Sequence, residues 1–115
     1  MTDVIHPSTV ESPETYLQFG DRYRNSDNIP LALKNYQRAL AINPEFAPAH
    51  ERIGTIHQQQ GNAMEAIASF SQAVHFDPTS LGAQLGLGNV YQQMGWAEQQ
   101  LLIFKKHLNF IPIDF

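Results

Sequence analysis

Two histidines on one predicted helix are the first residues whose type could support chemistry, because imidazole binds metals and moves protons near neutral pH. His50 and His57 are separated by seven positions. Seven residues of α-helix correspond to about 10 Å of rise, whereas two histidines that share an ion on one helix usually lie four residues apart. The pair is therefore predicted to pack rather than to bind metal. His6 and His75 have no partner at ligand or catalytic spacing.

Nucleophiles and paired carboxylates are equally scarce. The chain has no cysteine, which excludes a thiol nucleophile, a disulfide framework and a Cys-ligated zinc site. No serine or threonine lies in a nucleophile-elbow motif, and Glu51 and Glu65 have no evident carboxylate partner. An enzyme needs groups of perturbed pKa gathered in a concave site. The sequence indicates none, so we predict no catalytic residue, no cofactor, no metal and no enzymatic activity.

The glycines of GAQLGLGN (residues 82–89) invite comparison with a phosphate-binding loop. Neither the dinucleotide spacing nor the Walker lysine is present, and no strand precedes the segment. Gly82 and Gly86 should each cost a helix roughly 0.8–1 kcal/mol relative to alanine. Two interpretations stay open: a slightly weakened helix, or missing side chains that leave room for a ligand.

Composition and charge narrow the class of protein. The 115 residues are 43% hydrophobic and 16% charged, with a net charge of -4 and scattered basic residues. Nucleic-acid binding needs clustered Lys and Arg, so nucleic acid is not an expected partner. Residues 1–12 lack the features of a secretory signal and read as a mobile leader. No apolar run approaches the roughly 18 residues of a membrane span, and a cytoplasmic location is expected.

A period of 34 residues organises the rest of the chain. Three prolines repeat at this spacing, and so do three glycines and three aromatic residues: Pro44, Pro78, Pro112; Gly20, Gly54, Gly88; Tyr36, Phe70, Phe104. Three classes of position sharing one period indicate a repeat array. Its segments are residues 13–46, 47–80 and 81–114, which together make the domain 13–115.

Each segment is predicted to form two helices. Apolar residues recur at helical spacing, which places the first helices at about 14–25, 48–60 and 81–94. The second helices follow at about 29–42, 63–76 and 97–110. Ser12 before Pro13 predicts an N-cap, and Asn62 with Glu65 predicts a capping box. Gly61 and Gly95 suit helix C-caps. No segment alternates like a strand, so the predicted fold class is all-α.

These residues resemble the tetratricopeptide repeat (TPR), whose signature is W-x2-L-G-x2-Y…A-x3-F…P over 34 residues. The first segment supplies Tyr16, Phe19, Gly20, Tyr23, Ala32, Tyr36, Ala39 and Pro44. The second supplies His50, Ile53, Gly54, His57, Ala66, Phe70, Ala73 and Pro78. The third supplies Gln84, Leu87, Gly88, Tyr91, Gln100, Phe104, His107 and Pro112. The resemblance implies an α-solenoid of three helical hairpins in a right-handed superhelical stack.

The resemblance also implies a concave groove, lined by the first helix of each hairpin, that binds a peptide or protein segment. By register its residues are Leu17, Asp21, Arg24, Asn25, Glu51, Arg52, Thr55, Gln58, Gln59, Leu85, Asn89, Gln92 and Gln93. The set is rich in amides, which can bind peptide backbone whatever its side chains. The alternative, that this is only a solvated helix face, stays open.

One subclass of the family clamps acidic C-termini with lysines, asparagines and an arginine in the groove. The corresponding residues here are Leu17, Asp21, Arg52, Gly82 and Gly86. Only Arg52 is basic, and Asp21 would repel a carboxylate. We therefore predict that the chain does not bind acidic chaperone tails.

The last predicted helix carries more apolar surface than one side of a terminal helix can bury. Its candidate self-association surface is Leu101, Leu102, Phe104, Leu108, Phe110 and Phe115. Three explanations stay open: further residues that cap the array, a homodimer through this end, or a folded-back tail. His107 replaces the alanines found at its position in the earlier segments, which indicates a relaxed constraint at the array end or, as a hypothesis, a pH-sensitive interface.

Together these observations predict a protein-interaction module, a scaffold or adaptor, whose partner is a protein or peptide. Two alternatives belong to other classes: an accessory domain of a larger enzyme, and a self-assembly module. The fold does not choose among them.

Overall fold

The computed structural model describes residues 12–95, which form five α-helices and no strand. The helices are α1 (Pro13–Asn25), α2 (Ile29–Ile42), α3 (Ala47–Gln59), α4 (Ala63–Phe76) and α5 (Leu81–Gln93). Helices α1 and α2 form the first hairpin, α3 and α4 the second, and α5 begins the third. The predicted all-α class is confirmed, and each described helix begins and ends within two residues of its prediction. The leader and the sixth predicted helix lie outside the described residues.

The helix termini show which local signals fix these boundaries. The Ser12 hydroxyl accepts a hydrogen bond from the Thr15 amide at 3.1 Å, as an N-cap should. The predicted capping box at Asn62 is wrong, since the Asn62 side chain makes no capping bond. In a capping box the Glu65 side chain would accept a hydrogen bond from the Asn62 backbone N–H. That N–H donates instead to the His57 carbonyl oxygen at 2.8 Å.

Residues with a left-handed backbone conformation, that is with positive φ, turn the chain between paired helices. Gly61 has φ +80° after α3, and Gly95 has φ +88° after α5, as predicted for C-caps. Asp27 adopts φ 63° in the equivalent turn after α1. This conformation is accessible to Asp because its short polar side chain tolerates the left-handed region.

Two clusters of buried side chains hold the hairpins against one another. In the first cluster, Ala32, Tyr36 and Ala39 of α2 are buried with Ala49, Ile53 and Ile56 of α3. In the second, Ala66, Phe70 and Ala73 of α4 are buried with Ala47 of α3 and Ala83 and Val90 of α5. In each of the first two hairpins the second helix thus packs an Ala-aromatic-Ala stripe against the first helix of the next repeat, and neither of these hairpins buries its core alone.

The repeated glycines allow the two helices of a hairpin to approach closely. A Cβ on Gly54 would lie 2.8 Å from the Phe70 ring, and a Cβ on Gly20 would overlap the Tyr36 ring. Both built Cβ atoms would be closer to the ring than van der Waals contact allows. Neither position therefore has room for a side chain.

Candidate interaction surface

A line of polar contacts joins α1, α2 and α3 and ends beside α5. The Tyr36 hydroxyl donates to Asp21 Oδ1 at 2.5 Å, and Arg52 Nε donates to the same oxygen at 3.0 Å. Arg52 Nη1 also lies 3.5 Å from Glu51 Oε1. The Glu51 carboxylate occupies the space where a side chain on Gly82 of α5 would begin. We call Tyr36, Asp21, Arg52 and Glu51 the polar stripe.

The charges of the polar stripe are already paired. Burial raises the pKa of Tyr36 well above its usual range, and the hydrogen bond to Asp21 adds to the effect. The phenol therefore stays neutral and acts as a donor at physiological pH. The Asp21 and Arg52 side chains are each 28% exposed and bind one another. Arg52 is consequently not a free cation.

A small cavity lies between repeats two and three. Its volume is about 140 Å³, and its lining is Gln58, Gly61, Ala63, Val90, Gln93 and Met94. Gln58 Nε2 donates to Gln93 Oε1 at 3.4 Å, at the long end of hydrogen-bond distances. We call this cavity the glutamine pocket. Its volume is enough for one aliphatic side chain, and its amides retain unused donor and acceptor capacity.

The predicted groove residues divide into two groups. Six of them are exposed to solvent: Asn25, Gln59, Leu85, Asn89, Gln92 and Gln93. Seven are half-buried: Leu17, Asp21, Arg24, Glu51, Arg52, Thr55 and Gln58. Leu17 packs against the first core cluster, and the Thr55 hydroxyl donates to the Glu51 carbonyl oxygen of its own helix at 3.1 Å. These two side chains therefore serve packing and helix bonding in this structure.

The two additional glycines of α5 open no room for a ligand. A Cβ on Gly86 would lie 2.5 Å from the Phe70 ring, and one on Gly82 would overlap the Glu51 carboxylate. At Gly86 the interpretation that a missing side chain makes space in the groove is therefore wrong, because the buried Phe70 ring fills that space. At Gly82 the end of the Glu51 side chain occupies the space. Only the register between neighbouring repeats reveals this, and no local sequence pattern does.

His50 occupies a packing position. The His50 ring stacks on Phe76 with centroids 5.7 Å apart, and its Nε2 lies 2.9 Å from the Pro44 carbonyl oxygen. His50 therefore packs as predicted. His57 is half-buried. Within residues 12–95 no three His, Asp or Glu side chains gather in a geometry that could hold a metal ion.

Two predictions concern residues that the structure does not describe. The candidate self-association surface (Leu101, Leu102, Phe104, Leu108, Phe110 and Phe115) and His107 lie outside the described residues. The described helices include none that is long and apolar enough to span a bilayer.

Sequence reasoning missed an aromatic groove at the amino-terminal end of the array. Tyr16, Phe19 and Tyr23 of α1 line it together with Leu31, Lys34 and Arg38 of α2. These aromatic residues match the repeat signature. The signal that could have found the groove is the place of Phe19 in the first repeat, since its equivalents Ile53 and Leu87 pack against a preceding hairpin.

Comparison with known proteins agrees with this geometry. The profile of the TPR repeat family matches residues 20–61 and 59–95. Two solved structures of MamA share 26% sequence identity with the chain at a TM-score of 0.71, and each covers 87% of it. The chain spans 58% and 55% of those two MamA chains. No curated protein matches the sequence. With the matched profile covering most of the described helices, the chain belongs to the TPR repeat family.

Proposed function

We propose that the protein is an interaction module that binds an extended peptide or protein segment along the first helices of its repeats. Membership of the TPR family supports protein binding in general. The observation that carries the more specific proposal is the glutamine pocket, a side-chain-sized cavity beside exposed amides. Amide groups bind backbone N–H and C=O groups, and an apolar pocket selects a side chain.

The arrangement predicts the chemistry of the ligand. Asn89, Gln92 and Gln93 are exposed on α5 and can bind the backbone of an extended segment. One aliphatic side chain of that segment would enter the glutamine pocket, whose floor includes the buried Val90. Because Asp21 and Arg52 neutralise one another, a strongly acidic or basic ligand gains little from this part of the groove.

A random peptide library selected against the wild-type protein tests the proposal. Binding of the recovered peptides is measured by fluorescence anisotropy with wild type and with Asn89→Ala/Gln92→Ala/Gln93→Ala. Loss of two or three side-chain hydrogen bonds, each contributing about 1 kcal/mol, should weaken binding by roughly 30-fold or more. The matched control is Ser71→Ala/Gln72→Ala/His75→Ala, whose residues are exposed on α4, and it should bind as wild type does.

A cavity-filling variant tests the role of the glutamine pocket directly. Ala63 lines the pocket and is half-buried, so Ala63→Leu should occupy the space that a ligand side chain needs. Reduced peptide affinity with an unchanged melting temperature would support the proposal. Equal affinity of wild type, Ala63→Leu and the triple variant would exclude the groove as the binding surface.

A further inference from the structure

The amino-terminal end of the array carries an exposed aromatic groove that is separate from the concave surface. We call it the aromatic groove; its lining residues are Tyr16, Phe19, Tyr23, Leu31, Lys34, Asn35 and Arg38. Its volume is about 340 Å³. Phe19 and Tyr23 are each 37% exposed, and Leu31 is 36% exposed. An apolar surface of this kind on a polar protein often marks a site of protein interaction.

Repeats two and three show what covers the equivalent surface. Ile53, one period after Phe19, is only 9% exposed because it lies in the core cluster with α2. Leu87, two periods after Phe19, is partly buried against the cluster that contains α4. In both places the covering element is a helix that presents an Ala-aromatic-Ala stripe. Phe19 has no such helix among the described residues.

The charges around the aromatic groove select among possible covering helices. Lys34 and Arg38 line it, and no carboxylate of the described chain does. Arg38 lies over the Tyr16 ring at 5.9 Å from its centroid, which holds the guanidinium at the edge of the groove. Among described residues neither cation forms an ion pair. Each is therefore free to pair with an acidic side chain of a partner.

We propose that the aromatic groove binds an acidic amphipathic helix of a partner protein, which packs on α1 and α2 as α2 packs on α3. The contacting face of that helix carries small and aromatic apolar residues, and its flanks carry Asp or Glu opposite Lys34 and Arg38. This surface is independent of the concave groove and does not require the function proposed above.

The chain itself supplies a suitable probe. A peptide of residues 62–77 contains the Ala66, Phe70 and Ala73 stripe that covers α5, together with Glu65 and Asp77 and no lysine or arginine. Its charge-reversed form carries Glu65→Lys and Asp77→Lys and keeps the Ala66, Phe70 and Ala73 stripe unchanged. Binding of both labelled peptides to the full chain is measured by fluorescence anisotropy at low and high salt. The acidic peptide should bind more tightly, and its advantage should decline as salt screens the ion pairs.

Variants of the full chain assign the binding to this surface. Lys34→Gln/Arg38→Gln should weaken binding of the acidic peptide about fivefold, as expected for the loss of two exposed ion pairs. The same variant should bind the charge-reversed peptide at least as tightly as wild type does. Ala68→Glu/Gln72→Glu changes the net charge equally at the equivalent exposed positions of α4, and it should leave the acidic peptide's preference unchanged. Phe19→Ser should weaken binding of both peptides at least tenfold. Circular dichroism verifies that this variant is folded.

Other occupants of the aromatic groove give different results, and each would overturn the proposal. Equal affinity for the two peptides, or unchanged binding to Phe19→Ser, would show that the probe binds elsewhere. A wild-type dimer in sedimentation that dissociates in Phe19→Ser would assign the surface to a second copy. Peptide binding that emerges only after removal of residues 1–11 would assign it to the leader.

Discussion

At the scale of single residues, Phe70 contacts glycines of two different helices. Its ring lies within 2.8 Å of a Cβ built on Gly54 in its own hairpin and within 2.5 Å of one built on Gly86 in the next. One aromatic ring therefore sets the separation of three helices, α3, α4 and α5. Because Phe70 is buried, it cannot move aside to admit another atom without disturbing the second core cluster.

Two substitutions in the same helix should have opposite effects on stability. Gly86→Ala places a methyl group against the buried Phe70 ring, and overpacking of this kind costs about 1–3 kcal/mol. Gly82→Ala meets only the carboxylate at the end of the Glu51 side chain, which can rotate away. The gain in helix propensity should then raise the free energy of unfolding by up to about 1 kcal/mol. Urea denaturation of both variants measures the difference, and equal effects would contradict this packing account.

Tyr36 should make stability depend on alkaline pH. Its pKa is raised in the folded state by burial and by the bond to Asp21. Its stabilising effect is therefore fully present below the ordinary phenol pKa of about 10 and is lost as pH rises above that value. Tyr36→Phe should lower the free energy of unfolding by roughly 1–2 kcal/mol at pH 8, and the deficit should shrink by pH 11. Urea denaturation across this range tests the claim; a constant deficit would refute it.

The sequence could predict those residue contacts that recur within each repeat, but not those that depend on how two repeats meet. The close approach at Gly20 and Gly54 was predictable because the aromatic partner lies 16 residues further on in each repeat. The contact of Gly86 with Phe70 crosses a repeat junction and breaks the repeated pattern. The pairing of Asp21 with Arg52 depends on side-chain rotamers, so the groove list could not distinguish paired residues from free ones.

At the scale of helices, capping residues that look alike in the sequence differ in the structure. Ser12 accepts a bond from the Thr15 amide, while Asn62 caps α4 by position alone. Helix boundaries were predictable to within two residues because the 34-residue period, the prolines and the turn glycines act locally. The geometry of each cap depends on where the preceding turn leaves the backbone.

The two caps should therefore respond differently to alanine. Ser12→Ala removes a capping bond and should cost about 1 kcal/mol. Asn62→Ala removes none and should change stability by less than about 0.5 kcal/mol. Thermal denaturation of the two variants beside wild type makes the comparison. A larger loss for Asn62→Ala than for Ser12→Ala would show that the described caps do not govern the helices.

At the scale of the whole molecule, stability should be greatest in the middle of the described array. Helices α3 and α4 belong to the only described hairpin that packs against a neighbour on each side, through the first and second core clusters. In repeat proteins stability is the sum of repeat and neighbour-interface contributions, so opening this hairpin breaks two interfaces.

Hydrogen exchange should reveal this gradient. Backbone amides of α3 and α4 should exchange more slowly than those of α1 and α5, because local opening of the middle hairpin costs more free energy. Exchange followed by mass spectrometry on peptides from each helix provides the measurement. The slowest exchange in α1 would indicate that the aromatic groove is covered in solution.

The two repeat junctions are built differently, and this gives the repeats a fixed order. At the first junction Asp21 accepts hydrogen bonds from both Tyr36 and Arg52, whereas at the second the Phe70 ring packs against Gly86. In-frame loss of residues 47–80 would keep the period intact but bring α2 against α5. Asp21 would then face Gly86 at the repeat position that Arg52 holds, with no replacement for the guanidinium. The repeats of this chain therefore cannot be deleted or exchanged by recombination without loss of a junction contact, although they share the 34-residue length and the TPR signature.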